Sequence, residues 1–217
     1  MRKFRRNQEM MQMTTPEPKK RSILPLIMVI VVSAAPVILA FIVYYNPSLQ
    51  PTGSTNYGTL VEPQRPLPSN NDLTLTTLDG QAFDIDELKG QWLLIAADQA
   101  ACPEECAKKL FILRNTHAMT GKNVKRVSRV WFITDDAPVP QKVLDAYAGT
   151  IMLRADPAQL DAFLVGHDVS GTNQSELLDP IWMVDPLGNL MMQFPKDPDP
   201  LKGRKDLGKL LHNSQIG

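Results

Sequence analysis

The stretch WLLIAADQAACPEEC, residues 92–106, decides how the rest of the chain is read. Trp92 to Ala97 is a continuous apolar run of buried-strand length, the pattern of a strand covered on both faces. After Asp98 to Ala101 come Cys102-Pro103-Glu104-Glu105-Cys106, then Ala107 to Met119 with Leu110, Phe111, Leu113 and Ala118 at helical spacing. A strand feeding a helix N-terminus places Cys102 where free N–H groups and the helix dipole stabilise a thiolate, while the charges of Glu104 and Glu105 oppose it. Pro103 suits the first helical position, and a spacing of four predicts both cysteines on one helical face, Cα atoms about 6 Å apart, close enough for a disulfide. No other cysteine exists in the chain, so there is one internal disulfide or one dithiol site, and the two remain open at this level. Zinc wants four ligands and finds two sulfurs with no histidine at matching local spacing. Asp98, four residues before Cys102, is the candidate acid or base.

Working outward, strand and helix patterns alternate. Leu73, Leu75 and Leu78, an Asp79-Gly80 turn, then Ala82, Phe83 and Ile85 predict a hairpin. Val127–Thr134 predicts a second buried strand, Pro138–Ala148 a helix, Ile151–Leu153 a strand and Pro157–Val165 a helix. Ile181–Val184 and Leu190–Phe194 predict two strands joined by a Pro-Leu-Gly-Asn turn, and Leu201–His212 a basic amphipathic helix. Strands separated by helices imply the α/β class, a central mixed sheet flanked by helices. Trp131 and Trp182 pack that sheet.

Before this domain lies a different kind of sequence. The 217 residues carry 23 bases and 23 acids, and the zero sum hides a split. Residues 1–21 hold seven bases and two acids, +5, which leaves −5 on the remainder. An acidic body argues against a nucleic-acid-binding domain. Ile23 to Tyr45 has no charged residue and is long enough as a helix to cross a hydrocarbon core of about 30 Å. A cleaved signal peptide, for which Ser33, Ala34 and Ala35 offer small residues, has a shorter apolar region, so the expectation is an uncleaved anchor. The expected layout is a basic cytoplasmic arm over 1–22, a transmembrane helix over 23–45, a Pro-rich tether over 46–70 and one domain over 71–217. The bases precede the span, so the domain should be exported: in a bacterium, an inner-membrane protein with its domain in the periplasm.

The strand WLLIAADQAA, the CPEEC turn, and the strand VWFITDD followed by a Pro-started helix resemble the Sco family of cytochrome oxidase copper-assembly proteins over roughly residues 71–213. That family consists of membrane-anchored thioredoxin-like domains with a Cys-Pro-x-x-Cys motif. The resemblance implies that Cys102 and Cys106 are sulfur ligands for copper(I), or a dithiol that reduces a partner's disulfide, the partner being a cytochrome oxidase subunit or another copper or thiol assembly protein; a third reading is a non-catalytic module that docks an assembly partner. It also implies a third copper ligand, a histidine in the segment leading into the strand that ends in Asp-Pro. Here that segment, Leu177 to Pro186, holds none. His117, His167 and His212 remain; His117 is about 16 Å along a helix from Cys106, His212 falls in the terminal helix, and His167 sits in a loop ten residues before Asp179-Pro180. Met183, Met191 and Met192 read as core residues before thioether ligands. Pro180 resembles the thioredoxin family's proline opposite the cysteine pair, where a cis bond helps dock a partner. An Asp–Pro bond takes either isomer at modest cost, so both stay open.

Overall fold

The computed structural model describes residues 22–49, 55–166, 174–214 and 216. The basic arm and His167 lie outside the described residues. The chain divides after Gly53 into two units.

In the first unit, Leu24–Tyr45 forms helix α1, 22 residues with Pro25 in the first turn and Pro36 inside. At 1.5 Å per residue it is about 33 Å long, and it has the length and apolar composition to cross a membrane.

The second unit is built on one eight-stranded sheet. Its strands are β1 (Thr59–Pro66), β2 (Leu75–Thr77), β3 (Ala82–Phe83), β4 (Trp92–Asp98), β5 (Val127–Ile133), β6 (Ile151–Ala155), β7 (Ile181–Val184) and β8 (Asn189–Phe194), in the order β1-β8-β7-β4-β5-β6-β2-β3. Only β4–β5 and β5–β6 are parallel, and the crossover from β4 to β5 carries helix α2, Glu104–Ala118. Helices α3 (Gln141–Ala146), α4 (Pro157–Leu164), α5 (Gln174–Leu178) and α6 (Pro200–Asn213) complete the unit.

Strand β4 is buried at all seven positions because the sheet is covered on both faces. Leu93, Ile95 and Ala97 pack with Leu160, Phe163 and Leu164 of α4, whereas Trp92, Leu94 and Ala96 pack with Leu110, Leu113, Leu207 and Leu211 of α2 and α6. Both cysteines belong to the second cluster, together with Met183 and Met192, which are fully buried core residues. Trp131 and Trp182 lie within the sheet's packing at 0% and 2% exposure.

Two expectations are corrected. Of the Pro-rich segment expected as tether over 46–70, residues 55–70 belong to the domain: Thr59–Pro66 pairs with β8 as the sheet's edge, where Pro63 and Pro66 are tolerated because an edge strand needs donors on one side only. Tyr57 and Gly58 donate backbone N–H groups to the buried Asp206 carboxylate of α6 at 2.6 and 3.0 Å, so the chain is already docked there. Arg65 donates to the carbonyls of Phe163 and Leu164, terminating α4, and Gly166 with φ +84° leaves room for its guanidinium. Second, Phe111 points outward at 53% exposure; the buried side of α2 carries Cys106, Lys109, Leu110, Ile112, Leu113 and Thr116. Of the two isomers left open for Asp179–Pro180 the bond takes trans; Glu62–Pro63 is the one cis bond among the described residues.

Candidate redox site

The site forms where β4 ends. Gln99 accepts the Cys102 N–H at 3.1 Å, and the Ala100 N–H donates to Asp135 Oδ1 at 3.0 Å, which fixes the turn to the end of β5. Cys102 has φ +45°, in the left-handed region that only glycine enters without strain. Its position therefore differs from the one expected. The right-handed helical region is disfavoured before a proline, and Cys102 stays outside α2: Pro103 is the N-cap and Glu104 is the first helical residue. The cysteines meet across a tight turn rather than along one helical face. Their Cα atoms are 5.0 Å apart and their sulfurs form a disulfide. Cys106 occupies the third helical position at 1% exposure, and Cys102 is the more exposed residue of the pair at 8%. No side chain caps α2, so the first-turn N–H groups are left to stabilise negative charge.

Asp98 is brought beside this turn and is committed. Its Oδ2 lies 2.7 Å from Lys109 Nζ, and its Oδ1 accepts the Gln99 N–H at 2.9 Å. Lys109, 5% exposed, also donates to the carbonyls of Ala97, at 2.9 Å, and Leu178. All three ammonium donors are used, so one buried side chain joins β4, α2 and the turn that leads to Pro180. Sequence reasoning missed Lys109. The signal was present: Cys106, Lys109, Leu110 and Leu113 are spaced i, i+3, i+4, i+7, so a lysine on the buried stripe calls for a buried acid as partner.

Pro180 is not brought into the cleft beside Pro103, which takes the preceding Leu178 and Asp179; Pro180 lines another cleft with Arg65 and Trp182. His117 lies at the far end of α2, its Nε2 3.1 Å from Val124 O. Burial, then the Arg129 charge, lowers its pKa below the ordinary 6.5. His212 is exposed in the last turn of α6. Among the described residues no three His, Cys, Asp or Glu side chains gather as a metal site. The described donors thus provide two sulfurs and no third ligand, with a buried ammonium nearby, a set that does not make a three-ligand copper centre.

No curated protein matches the chain in sequence. Residues 92–214, more than half of the chain, match the family described as transmembrane-like, thioredoxin-like, C-terminal domain. The chain belongs to this thioredoxin-like family. Among solved structures, this thioredoxin-like protein is similar to the copper-bound ScoI of Arabidopsis thaliana at 16% identity and a TM-score of 0.51, covering 73% of this chain and 99% of that one. It is similar to BsSco, a member of the Sco family of cytochrome c oxidase assembly proteins with an identified disulfide switch, at 13% identity and 0.51, covering 72% and 99%. It is also similar to a thiol:disulfide interchange protein from Bacteroides sp., at 16% identity and 0.50, covering 70% and 91%. At these identities the likeness is one of fold.

Proposed function

We propose that this protein is a membrane-anchored thiol–disulfide oxidoreductase that acts as reductant or accessory factor in cytochrome c oxidase assembly, its domain on the periplasmic side of a bacterial inner membrane. The observation that carries the reading is the Cys102–Cys106 disulfide at a strand-to-helix turn, with Cys102 the more exposed of the two residues. The fold likeness to a thiol:disulfide interchange protein and to BsSco supports the chemistry and its setting. The apolar α1 behind a basic arm supports the anchor and its orientation.

In the reduced state the Cys102 thiolate attacks one sulfur of a partner's disulfide, forming a mixed disulfide and releasing one partner thiolate. Cys106 then attacks the Cys102 sulfur, releases the second partner thiolate and closes the 102–106 disulfide. Two electrons pass to the partner, and the two cysteine protons end on its thiols. An external dithiol must regenerate the pair. Asp98 is the nearby acid or base in this scheme, and to move a proton it must loosen its hold on Lys109. Trapping tests the assignment: Cys106→Ser should accumulate a mixed disulfide through Cys102, and Cys102→Ser should not. Equal trapping by both variants, or by neither, overturns it.

A second reading treats copper(I) as cargo. The likeness to a copper-bound ScoI favours it, and reduction would turn the pair into two soft thiolate donors, with no third donor among the described residues.

A further inference from the structure

Beside Pro103, the start of α2, the turn before β7 and the loop after β8 border a cleft of about 140 Å³. Six ionisable side chains line it, Asp98, Glu105, Lys109, Asp179, Lys196 and Asp197, four acids against two bases, a formal −2. Asp98 and Lys109 cancel at 2.7 Å and are fully engaged. The rim is held differently. Lys196 pairs with Asp179 at 3.1 Å, and Lys108, from outside the lining, pairs with Asp197 at 2.8 Å, all four side chains between 37% and 52% exposed. Pairs this exposed contribute about 0–1 kcal/mol each, so an incoming ammonium or guanidinium group can replace a lysine at either aspartate at little cost. Glu105 enters none of the described ion pairs, and Glu104 beside it adds a second negative charge to offset Lys108. Pro103 and Glu105, the chain neighbours of Cys102 and Cys106, both line the cleft, which therefore borders the disulfide turn.

We propose that this cleft seats the partner's chain during exchange and selects a segment carrying Lys or Arg within a few residues of its cysteines. The proposal rests on the thiol-exchange reading, and its test separates the two. The full chain in detergent micelles, reduced, is mixed with two disulfide peptides that differ only in flanking Lys or Glu, and exchange rates are measured at low and high salt. Binding of versions with serine in place of both cysteines is measured in parallel. The Lys peptide should exchange about tenfold faster at low salt, with the ratio falling towards one at about 0.5 M. Glu105→Gln with Asp179→Asn should erase the preference, while Glu87→Gln with Asp145→Asn, two acids outside the cleft, should leave it. Equal rates at low salt, or a preference that survives the cleft variant, overturns the proposal; so does an equal loss in the control variant, which assigns the effect to the domain's overall charge. If neither peptide exchanges, the thiol reading fails and binding decides the cleft. Serine-peptide binding that favours Lys and is lost in the cleft variant then supports the proposal, and binding without charge preference, or none, overturns it.

Discussion

Replacing Lys109 with methionine should cost the domain about 3–5 kcal/mol, because it leaves the Asp98 carboxylate buried without its cation. The magnitude follows from burial: the two side chains are 7% and 11% exposed, so solvent screens them little. The carbonyls of Ala97 and Leu178 lose a donor in the same step, which places the cost towards the upper end. For a domain of this size that loss corresponds to a fall in Tm of about 6–20 °C. The assay is urea unfolding of the full chain in detergent, followed by tryptophan fluorescence. All three tryptophans, Trp92, Trp131 and Trp182, are buried in the second unit, so the signal reports on that unit. Removing both charges, with Lys109→Met and Asp98→Leu together, should recover much of the loss, since a buried pair is replaced more cheaply than it is broken. A cost below about 1 kcal/mol for Lys109→Met alone, the value of an exposed pair, would refute the argument that this ammonium clamps the site.

Three further outcomes are expected. Because burial depresses the folded-state pKa of His117 below 6.5, the unfolded chain binds a proton that the folded chain refuses. Stability should therefore fall as pH drops below about 6.5, and urea midpoints in His117→Gln should fall less over the same range. Gly166→Ala should destabilise the second unit by at least about 1 kcal/mol in the same urea assay, because its φ is +84° and a Cβ there would lie 2.4 Å from Arg65 Nη1. Titrated with copper(I) against a competing chelator, the reduced chain should take up no more than one ion, and uptake should vanish in Cys102→Ser and persist in His117→Ala and His212→Ala.

Much of this was legible in the residues themselves. Trp92–Ala97 announced a buried strand because an unbroken apolar run has no polar face to expose, and Val127–Thr134, with Val130–Ile133 as its apolar stretch, a second; the two strands are parallel neighbours. The cysteine turn was legible as a site, but its backbone was not. A spacing of four suggests a helical face, whereas the proline after Cys102 disfavours the right-handed helical region there, and the fold places Cys102 in the left-handed region instead. Strand β1 was hidden by Pro63 and Pro66, which mark a tether by composition and an edge strand only once β8 is there to pair with. Lys109 was hidden because a lysine on a helix is usually solvated. Its partner Asp98 is eleven residues away, and only the fold closes that distance.

The central claim is that the cysteine pair is a working redox couple and not a structural crosslink. The reduction potential of the pair in the full chain, equilibrated against a dithiol couple of known potential, tests it most directly. The account predicts a value above about −300 mV, in the range of exchanging pairs. A value below that, with a disulfide that resists reduction in the folded chain, would contradict it.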